Sequence, residues 1–487
     1  MRRLVAPIVG LAVLAACTST SSATSTSADS ASVALRVGTL NMEYGGEVID
    51  FDKVVEAALA LDADVLAVQE PWGHVPRLAG DMGYPYYDTR RHIVSRLPLL
   101  DPPGSPAEYT YVEVSPGRVV AFGTMHLSSS AYGPNRTRRG DPAAEVVAGE
   151  EKIRLPEISP VADVLAAVAA QGTPTFLAGD FNSPSHLDWT EATVGSRPHV
   201  IYPLAWPVTV TLEERGFRDS FRDVHPDPVT DPGLTWPAAR PTSTDSWNPG
   251  PAAPADRIDY VFAAGLSTTT DSQVLTEDAV TPWPTDHRGL VSTFQVTPAP
   301  APVLVSPEQR LWERGDEVRV TSVGDADSAR VVVRLAGGGD PVASADVGAS
   351  VDAEAFDSTD WAPGSYEIAL LDGAGNVQAT SQTWVAEAGA GPTLTVDPSI
   401  AEGDPIDVAW NAAPGNRFDW IGIYRRGADP NVAYYLLWTY TGATIEGAAT
   451  LDGDAEGRFP LPPGKYTAML LVDDAYEAVA TADFVIT

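Results

Sequence analysis

The stretch "FLAGDFNSP" (176–184) ends an apolar run at Gly179 and then presents Asp180 and Asn182 with Phe181 between them. Because the side chains of a β-strand alternate between its two faces, we expect Asp180 and Asn182 on one face and Phe181 on the other. A carboxylate at the end of a buried strand needs a polar partner or a metal. The stretch therefore predicts a buried strand that ends in a candidate functional site.

Other segments of the sequence carry the same feature. In each, a residue with a side-chain oxygen or an imidazole lies at the end of a predicted strand or at the start of the loop that follows. They contain Asn41 and Glu43 in "LNMEYGG", Glu70 in "VLAVQE", His126 in "VVAFGTMHL", Asp259 in "RIDYVF", and Asp286 and His287 in "PWPTDHRG". A single strand-end aspartate is more often a turn former than a ligand, but the repetition of the pattern favours a shared site. The histidines in polar or proline-rich loops are expected at the surface: His74, His92, His199 and His225.

The composition restricts the chemistry. The chain has 487 residues, 44% of them hydrophobic, which predicts more than one buried core. Cys17 is the only cysteine, which excludes an intrachain disulfide, a zinc–thiolate cluster and a cysteine nucleophile in the body of the protein. The net charge of −34 opposes tight non-specific binding of nucleic acid. A phosphate-containing substrate stays compatible with this charge, because a bound divalent cation can dominate the local field.

The N-terminal segment predicts export. Arg2 and Arg3 precede an apolar run at 4–16 that is too short to span a bilayer permanently. The residues "LAAC" (14–17) resemble the lipobox of bacterial lipoproteins, which implies a lipoprotein signal peptide at 1–17 and lipidation of Cys17. An ordinary signal peptide is the alternative. The Ser, Thr and Ala of 18–32 predict a flexible linker, so we expect a protein anchored at the bacterial cell surface by its lipid.

The body of the chain divides by pattern into an α/β region and an all-β region. In 33–296, apolar runs alternate with helical patterns such as "FDKVVEAALALD" (51–62). The residues 297–302, rich in Pro and Ala, predict an extended linker. Short alternating strands with Gly and Pro turns follow, and "GSYEIALLDGAGNVQATSQTWV" (364–385) aligns with 464–486. Two Ig-like β modules at 303–387 and 391–487 are the interpretation that this repeat favours.

The motifs of the α/β region resemble those of a known superfamily. In order and interval, "LNMEYGG", "ADVLAVQE", "TMHL", "AGDFNSP", "DRIDYVF" and "TDHRG" are similar to the motif series of the endonuclease/exonuclease/phosphatase superfamily. The resemblance covers roughly residues 33–296. It implies a DNase I-like four-layer α/β/β/α sandwich, in which two mixed sheets stack face to face, with helices outside and a metal site on one rim.

The resemblance also implies roles for the strand-end residues. Metal-dependent hydrolysis of a phosphate ester would use Glu70 as the principal Mg²⁺ ligand, with Asn41, Glu43 and Asp286 completing or supporting the site. Carboxylate and carboxamide oxygens suit Mg²⁺, with Mn²⁺ or Ca²⁺ as alternatives. Asp180 would orient or deprotonate the attacking water, and Asn182 would hold a phosphate oxygen. His287, paired with Asp259, would contact the scissile phosphate, and His126 matches a second histidine of some branches.

Substrate choice stays open at this stage. A secreted phosphodiesterase or phosphatase is favoured, with an extracellular nuclease and a non-catalytic surface adhesin as the alternatives. Arg136 and Arg138, after His126, are candidates to bind a second phosphate or an anionic head group, and they could equally form a solvated basic turn. Tryptophans near the motif loops either stack on substrate or pack in the core: Trp189, Trp206, Trp236 and Trp283. The expected partners are a phosphate-ester substrate and a membrane, and the expected state is a monomer.

The second β module contains "DWIGIYRRG" (419–427), which resembles an Ig-like sandwich type that accompanies bacterial phosphoesterases. Trp420, Tyr424 and Trp438 either line a binding surface or fill the sandwich core, and we expect the core.

Overall fold

The computed structural model describes residues 32–244, 248–250, 253–349, 351–453 and 455–487. The predicted signal peptide, Cys17 and most of the predicted Ser/Thr/Ala linker lie outside the described residues. Within the described part of the chain, none of the helices is long and apolar enough to cross a bilayer.

The α/β unit, residues 33–296, contains strands, helices and two short 3₁₀ turns at Tyr44–Gly46 and Glu191–Thr193. Its strands are β1 (Val33–Asn41), β2 (Val65–Gln69), β3 (Tyr86–Asp88), β4 (Ile93–Ser95), β5 (Leu99–Leu100), β6 (Thr110–Ser115), β7 (Arg118–His126), β8 (Thr175–Asp180), β9 (Arg218–Asp219), β10 (Asp259–Ala264), β11 (Ser267–Leu275) and β12 (Gly289–Val296). Its helices are α1 (Phe51–Ala60), α2 (Val75–Met82), α3 (Gly133–Arg138), α4 (Ala143–Ile153), α5 (Leu155–Ala170), α6 (Pro207–Glu214) and α7 (Ser220–Val224).

Helix α1 forms where the apolar spacing predicts it. The side chain of Asp50 accepts a hydrogen bond from the backbone N–H of Asp52, which caps the first turn. Val54, Val55 and Ala58 are buried on one side of the helix. They pack against the first sheet, so the prediction of a helix in "FDKVVEAALALD" is confirmed.

The strands form two mixed sheets. The first has the order β11-β12-β1-β2-β4-β3, and the second has the order β5-β6-β7-β8-β10-β9. Each sheet contains one parallel pair, β1 with β2 and β7 with β8, while the other pairs are antiparallel. A parallel pair needs a crossover connection, and α1 provides the connection from β1 to β2.

The apolar residues divide into three layers that hold the sheets and helices together. Between the sheets lie side chains such as Val37, Phe122, Phe176 and Phe294. A second cluster joins the outer face of the first sheet to α1 and α2, and a third joins the outer face of the second sheet to α5 and α6. Helix, sheet, sheet and helix therefore form four layers, and the predicted DNase I-like α/β/β/α fold class is confirmed.

The all-β region forms two sandwiches. A short strand, β13 (Ala299–Pro300), first pairs with β7 inside the predicted linker. The first module contains β14 (Leu304–Pro307), β15 (Leu311–Glu313), β16 (Glu317–Val323), β17 (Ser328–Leu335), β18 (Ala343–Asp346), β19 (Val351–Asp357), β20 (Gly364–Asp372) and β21 (Val377–Ala386). The second contains β22 (Thr393–Val396), β23 (Ser399–Ile400), β24 (Ile406–Asn411), β25 (Trp420–Arg425), β26 (Leu437–Tyr440), β27 (Gly447–Leu451), β28 (Glu456–Gly457), β29 (Gly464–Leu471) and β30 (Ala478–Ile486). The modules stack a three-stranded sheet on a five-stranded and a six-stranded sheet, respectively, as expected for Ig-like modules.

The aromatic residues of β25 do not fill the core of the second module. Ile421 and Ile423 point into that core, and by strand alternation Trp420 and Tyr424 lie on the opposite face. There they form a separate apolar cluster with Trp438 and Tyr476. The expectation that Trp420, Tyr424 and Trp438 fill the sandwich core was therefore wrong.

The second module contacts the α/β unit through polar groups. Arg417 donates from its backbone N–H to the carbonyl of Arg90 at 3.0 Å, and from its guanidinium to the carbonyl of Thr124 at 2.5 Å. Asp473 accepts a hydrogen bond from the N–H of Gly73 at 2.6 Å and forms a buried ion pair with His92. Burial alone would lower the pKa of His92, but the charge and hydrogen bond of Asp473 raise it.

Two of the four loop histidines are buried, in contrast to the prediction that all four lie at the surface. His92 is fully buried against Asp473, and His199 is buried with its Nε2 2.9 Å from a carboxylate oxygen of Asp256. His74 and His225 are half-buried. The prediction was wrong for His92 and His199 because their carboxylate partners are distant in sequence.

Candidate active site

The two parallel strand pairs bring the predicted site residues to one end of the sandwich. Asn41 ends β1, and Glu70 follows β2 directly. In the second sheet, His126 ends β7 and pairs in register with Asp180, which ends β8. Asp259, the first residue of the antiparallel strand β10, also pairs with Asp180. The carboxyl ends of both parallel pairs therefore place polar side chains at the same edge.

Several site residues have a left-handed backbone. Glu43 has φ 54°, Glu70 has φ 53° and Asn182 has φ 45°. Non-glycine residues adopt this conformation rarely, and it concentrates at functional sites. Strand β8 ends at Asp180. The left-handed backbone at Asn182 then forms a turn, and this turn brings the side chain of Asn182 back beside Asp180. The predicted proximity of Asp180 and Asn182 is thus present, but its cause differs from strand alternation.

Asp180 is buried and surrounded by amide donors. One of its oxygens accepts from the backbone N–H of Asn182 at 2.8 Å. The other accepts from the side-chain amides of Asn182 and Asn41, both at 3.2 Å. Burial raises the pKa of Asp180 to about 6, and the negative charge of Asp259 adds to the rise, while His287 opposes it. A carboxylate with this pKa can accept a proton near neutral pH.

His287 and Asp259 form a buried charge pair beside Asp180. The Nδ1–H of His287 donates to Asp259 at 3.0 Å, which leaves Nε2 facing Asp180 at 3.6 Å. Burial disfavours the imidazolium, but the charges of Asp259, Asp180 and Asp286 raise the pKa of His287 well above its usual value. These charges favour the imidazolium form of His287, with one N–H directed into the site.

Three carboxylates next to this pair form an acidic group with the chemistry of a metal site. Glu43, Glu70 and Asp286 lie close enough that the charge of each carboxylate affects another. Burial is the largest cause that raises the pKa of Glu43 to about 7, and the charge of Asp286 is the next. Burial and the charge of Glu70 also raise the pKa of Asp286. Hard oxygen ligands that repel one another are the donor set that Mg²⁺ or a similar cation stabilises. The residues present therefore fit a divalent cation.

The exposure of the carboxylates, more than their hydrogen bonds, distinguishes ligands from supports within this group. Glu43 is bonded to Arg240 and to the backbone N–H of Asp286, which occupies both of its carboxylate oxygens. Asn41 accepts from the N–H of Glu43 at 2.9 Å and donates to Glu70 at 3.1 Å. Glu70 also accepts at both oxygens, from Asn41 and from the backbone N–H of Tyr44 at 3.0 Å. Its side chain is 23% exposed and that of Asp286 is 12% exposed, against 3% for Glu43, so Glu70 and Asp286 offer the more accessible oxygens.

A second grouping of potential ligands involves the charge pair itself. Asp180, Asp259 and His287 offer three ligand atoms within 4.8 Å of one another, so this group could also hold a cation. The Nδ1 atom of His287, however, is already hydrogen-bonded to Asp259. The group of Glu70 and Asp286 is the other candidate cation site, and no histidine hydrogen bond has to break there.

His126 lies between Glu70 of the acidic group and Asp180 of the group that contains His287 and Asp259. Its Nε2 is 3.8 Å from an oxygen of Glu70 and 3.8 Å from an oxygen of Asp180, and its Nδ1 is 3.2 Å from Asp474 of the second module. Burial would lower the pKa of His126, but the hydrogen bond and charge of Asp474, helped by Asp180 and Glu70, raise it to about 9. The structure therefore brings together Asn41, Glu43, Glu70, His126, Asp180, Asn182, Asp259, Asp286 and His287.

The two arginines that are candidates for binding phosphate, Arg136 and Arg138, are not among the residues that the structure brings together at this site. Arg136 lies on helix α3 and not in a loop, and its Nε donates to Asp141 at 2.9 Å. Arg138 ends the same helix. That either arginine binds a second phosphate stays a prediction.

The tryptophans near the motif loops have two different environments. Trp189, Trp206 and Trp283 are buried in the core. Trp236 is half-buried, and its indole N–H donates to Asp286 at 3.0 Å, so it supports the acidic group. From the sequence Trp236 is a candidate for stacking on substrate and not for supporting the acidic group, and Arg240 is not a candidate at all, because both roles depend on contacts with residues far along the chain.

A buried ion network lies next to the start of β10, which begins at Asp259. Arg257 is fully buried and bonds to Asp188 at 3.0 Å and to Asp219 at 2.7 Å, while Arg222 bonds to Asp188 at 2.6 Å. The motif "DRIDYVF" contains a signal for it, since an arginine next to a buried strand requires anionic partners.

Comparisons with known proteins bear on the α/β unit. Residues 38–287 match the model of the "Endonuclease/Exonuclease/phosphatase family". An uncharacterised protein of Caenorhabditis elegans is 32% identical over 257 residues, which are 48% of this chain and 80% of the nematode protein.

Two solved structures match the chain with low TM-scores. An endonuclease/exonuclease/phosphatase from Beutenbergia cavernae is 19% identical, with 72% of this chain and 99% of that chain covered and a TM-score of 0.33. One from Bacteroides vulgatus is 14% identical, with 54% and 99% covered and a TM-score of 0.29. The family assignment rests on the family model and the nematode relative.

Proposed function

Because the chain belongs to the endonuclease/exonuclease/phosphatase family, we propose that it is a divalent-metal-dependent phosphoesterase, exported and held at the cell surface by a lipid on Cys17. The observation that carries the proposed reaction is the position of the Asp180–His287–Asp259 group directly beside the acidic group of Glu70 and Asp286. A base, a cationic hydrogen-bond donor and a site for a hard cation are the components that attack of water on a phosphate ester requires.

The proton transfers follow from the charges of the buried residues. Asp180, with its pKa near 6, takes a proton from the attacking water. His287 is protonated and donates its Nε2–H to a non-bridging oxygen, where negative charge increases as the water attacks. Asp259 holds the imidazole ring in that orientation through Nδ1. Asn182 adds a neutral donor next to Asp180, which binds a phosphate oxygen without adding negative charge.

The remaining requirement is help for the leaving group and for the phosphate charge. His126, whose pKa Asp474 helps to raise to about 9, lies near both Glu70 and Asp180, where its imidazolium form can donate to a leaving oxygen. Glu70 and Asp286 would hold the cation, with Asn41 and Glu43 as supports. Such a cation supplies charge neutralisation at the phosphoryl oxygens.

Removal of divalent metal is expected to abolish hydrolysis. The purified chain is assayed on bis-p-nitrophenyl phosphate, p-nitrophenyl phosphate and supercoiled DNA with EDTA, and then with Mg²⁺, Mn²⁺ or Ca²⁺ in excess. We expect activity to return with Mg²⁺. We expect Glu70→Gln to lower the apparent affinity for Mg²⁺ by ~10-fold or more, because the variant loses a ligand charge while keeping a similar shape.

The control for Glu70→Gln is Glu56→Gln on the outer side of α1, where Glu56 pairs with Lys53 at 2.8 Å. Full activity in EDTA, or an unchanged Mg²⁺ dependence of Glu70→Gln, would contradict the metal assignment. Hydrolysis of DNA in preference to both small esters would favour the nuclease alternative.

The surface location rests on the "LAAC" segment and has its own test. In bacterial cells that express the full chain, Cys17→Ser is expected to move the protein from the membrane fraction to the soluble exported fraction, because the lipid anchor is lost. Retention of Cys17→Ser in the membrane fraction would contradict lipidation at this residue.

A further inference from the structure

A cavity of about 200 Å³ opens next to Glu70 and His126, and both the α/β unit and the second module line it. The α/β unit contributes Tyr44, Trp72 and the three serines 128–130, and the second module contributes Trp420, Tyr435, Trp438, Tyr440, Asp474 and Tyr476. This volume is below the ~300–1,000 Å³ of sites for drug-sized ligands, so the cavity suits one ring-sized group.

The module's share of the lining is an aromatic wall formed by Trp420, Trp438, Tyr440 and Tyr476. The rings support each other edge to face: Trp420 lies 6.2 Å from Trp438 and 5.7 Å from Tyr476, and Trp438 lies 4.8 Å from Tyr440. Tyr476 in turn contacts Trp72 of the α/β unit at 5.9 Å. Trp438 is half-buried and Tyr440 is 36% exposed, so this wall is not a closed core.

A turn of the same module, at Asp473 and Asp474, contacts His126. Asp473 and Asp474 both have φ 61°, a conformation that non-glycine residues rarely adopt and that the surrounding contacts have to maintain. Asp473 holds the turn against His92 and Gly73 of the α/β unit. Asp474 then lies with one oxygen 3.2 Å from His126 Nδ1 and the other 3.5 Å from the hydroxyl of Tyr440.

We propose that the second Ig-like module is part of the active site: Asp474 positions His126, and the aromatic wall binds an ester group of the substrate that is an uncharged ring. The proposal rests on the proposed phosphoesterase function. It extends that function by the class of substrate, which the α/β unit alone does not determine.

The lining determines the class of the bound group. Among the described residues that line the cavity there is no lysine or arginine, whereas Glu70 and Asp474 are carboxylates. His126 also lines the cavity, but in the proposed mechanism it donates to the reacting ester, so these lining residues offer no further cationic side chain to a second phosphate, which disfavours polyanions at this position. Aromatic faces bind flat rings through stacking, and serine hydroxyls can bond to polar groups at a ring's edge. The base of a nucleoside has both properties, and a sugar or cyclitol ring offers hydroxyl groups together with a C–H face instead of a flat one.

The test compares three diesters with the same p-nitrophenyl leaving group and a phenyl, a methyl or a choline second ester group. For the wild-type chain with Mg²⁺ we expect kcat/KM to be roughly tenfold higher for the phenyl ester than for the methyl ester. Trp438→Ala and Tyr440→Ala are expected to remove most of this preference by raising KM for the phenyl ester. The matched control is Tyr87→Ala, an exposed aromatic on β3 that lines no part of this cavity.

The outcomes separate this proposal from the proposed function. Equal kcat/KM on the phenyl and methyl esters, or a phenyl preference that survives both substitutions, would overturn the ring subsite. A preference for the choline ester that the substitutions remove would assign the wall to cations and would also overturn it. Hydrolysis of none of the esters with any metal would instead contradict the phosphoesterase function itself.

The positioning role of Asp474 has a separate measurement. Asp474→Asn keeps an acceptor near His126 but removes the charge, and we expect it to lower kcat by roughly tenfold with little change in KM. Asp404→Asn, at an exposed position of the same module, is the control. A lower melting temperature with normal kcat would show that Asp474 only joins the two units.

Discussion

Asp180→Asn is expected to lower kcat on a phosphodiester by ~10³-fold or more, with an unchanged melting temperature. The substitution keeps the size of the side chain but removes the group that accepts the proton of the attacking water. The buried carboxylate has two amide neighbours, Asn41 and Asn182, which can rearrange around an amide. The measurement is steady-state hydrolysis of bis-p-nitrophenyl phosphate with saturating Mg²⁺, with melting followed by circular dichroism.

The control for this prediction is Asp163→Asn, which changes an exposed carboxylate on α5 that pairs with Arg215. A double variant, Asp180→Asn with His287→Gln, sharpens the test. Residues that act as a unit have non-additive effects, so we expect the double variant to be little slower than the slower single variant. Near-normal turnover of Asp180→Asn would remove Asp180 from the mechanism.

Arg257→Met is expected to lower the free energy of unfolding by ~3–5 kcal/mol. The guanidinium is fully buried between Asp188 and Asp219, and its removal leaves both carboxylates with less compensation in a site that water does not reach. The measurement is the urea midpoint of the α/β unit's transition, followed by tryptophan fluorescence, since Trp189 and Trp206 are buried in this unit.

The matched control is Arg330→Met, which breaks an exposed pair with Asp346 on the surface of the first module. Exposed pairs contribute ~0–1 kcal/mol, so we expect the control to change the midpoint little. A loss for Arg257→Met that is no larger than the control's would show that the buried network does not stabilise the strand that carries Asp259.

Much of the site could be predicted from the sequence because its residues occupy strand ends. Asn41, His126, Asp180 and Asp259 each end or begin a strand whose apolar alternation is visible locally, and the order of the motifs identifies the family. The backbone conformation of the residues next to these strand ends could not be predicted, and it decides where their side chains point. The left-handed turns at Glu43, Glu70 and Asn182 depend on hydrogen bonds between different loops, which no local pattern encodes.

The amino-acid sequence by itself determined the α/β character of residues 33–296, the two β modules and the chemical class of the site, because strand alternation, helical spacing and motif order are local properties of the chain. Only the tertiary structure decided which partner each charged side chain contacts. The carboxylates of Asp473 and Asp474 lie 381 and 348 residues away from His92 and His126, the histidines that they contact. Such contacts arise from the packing of the second module against the α/β unit, and that packing joins the aromatic face of the second module to the candidate active site.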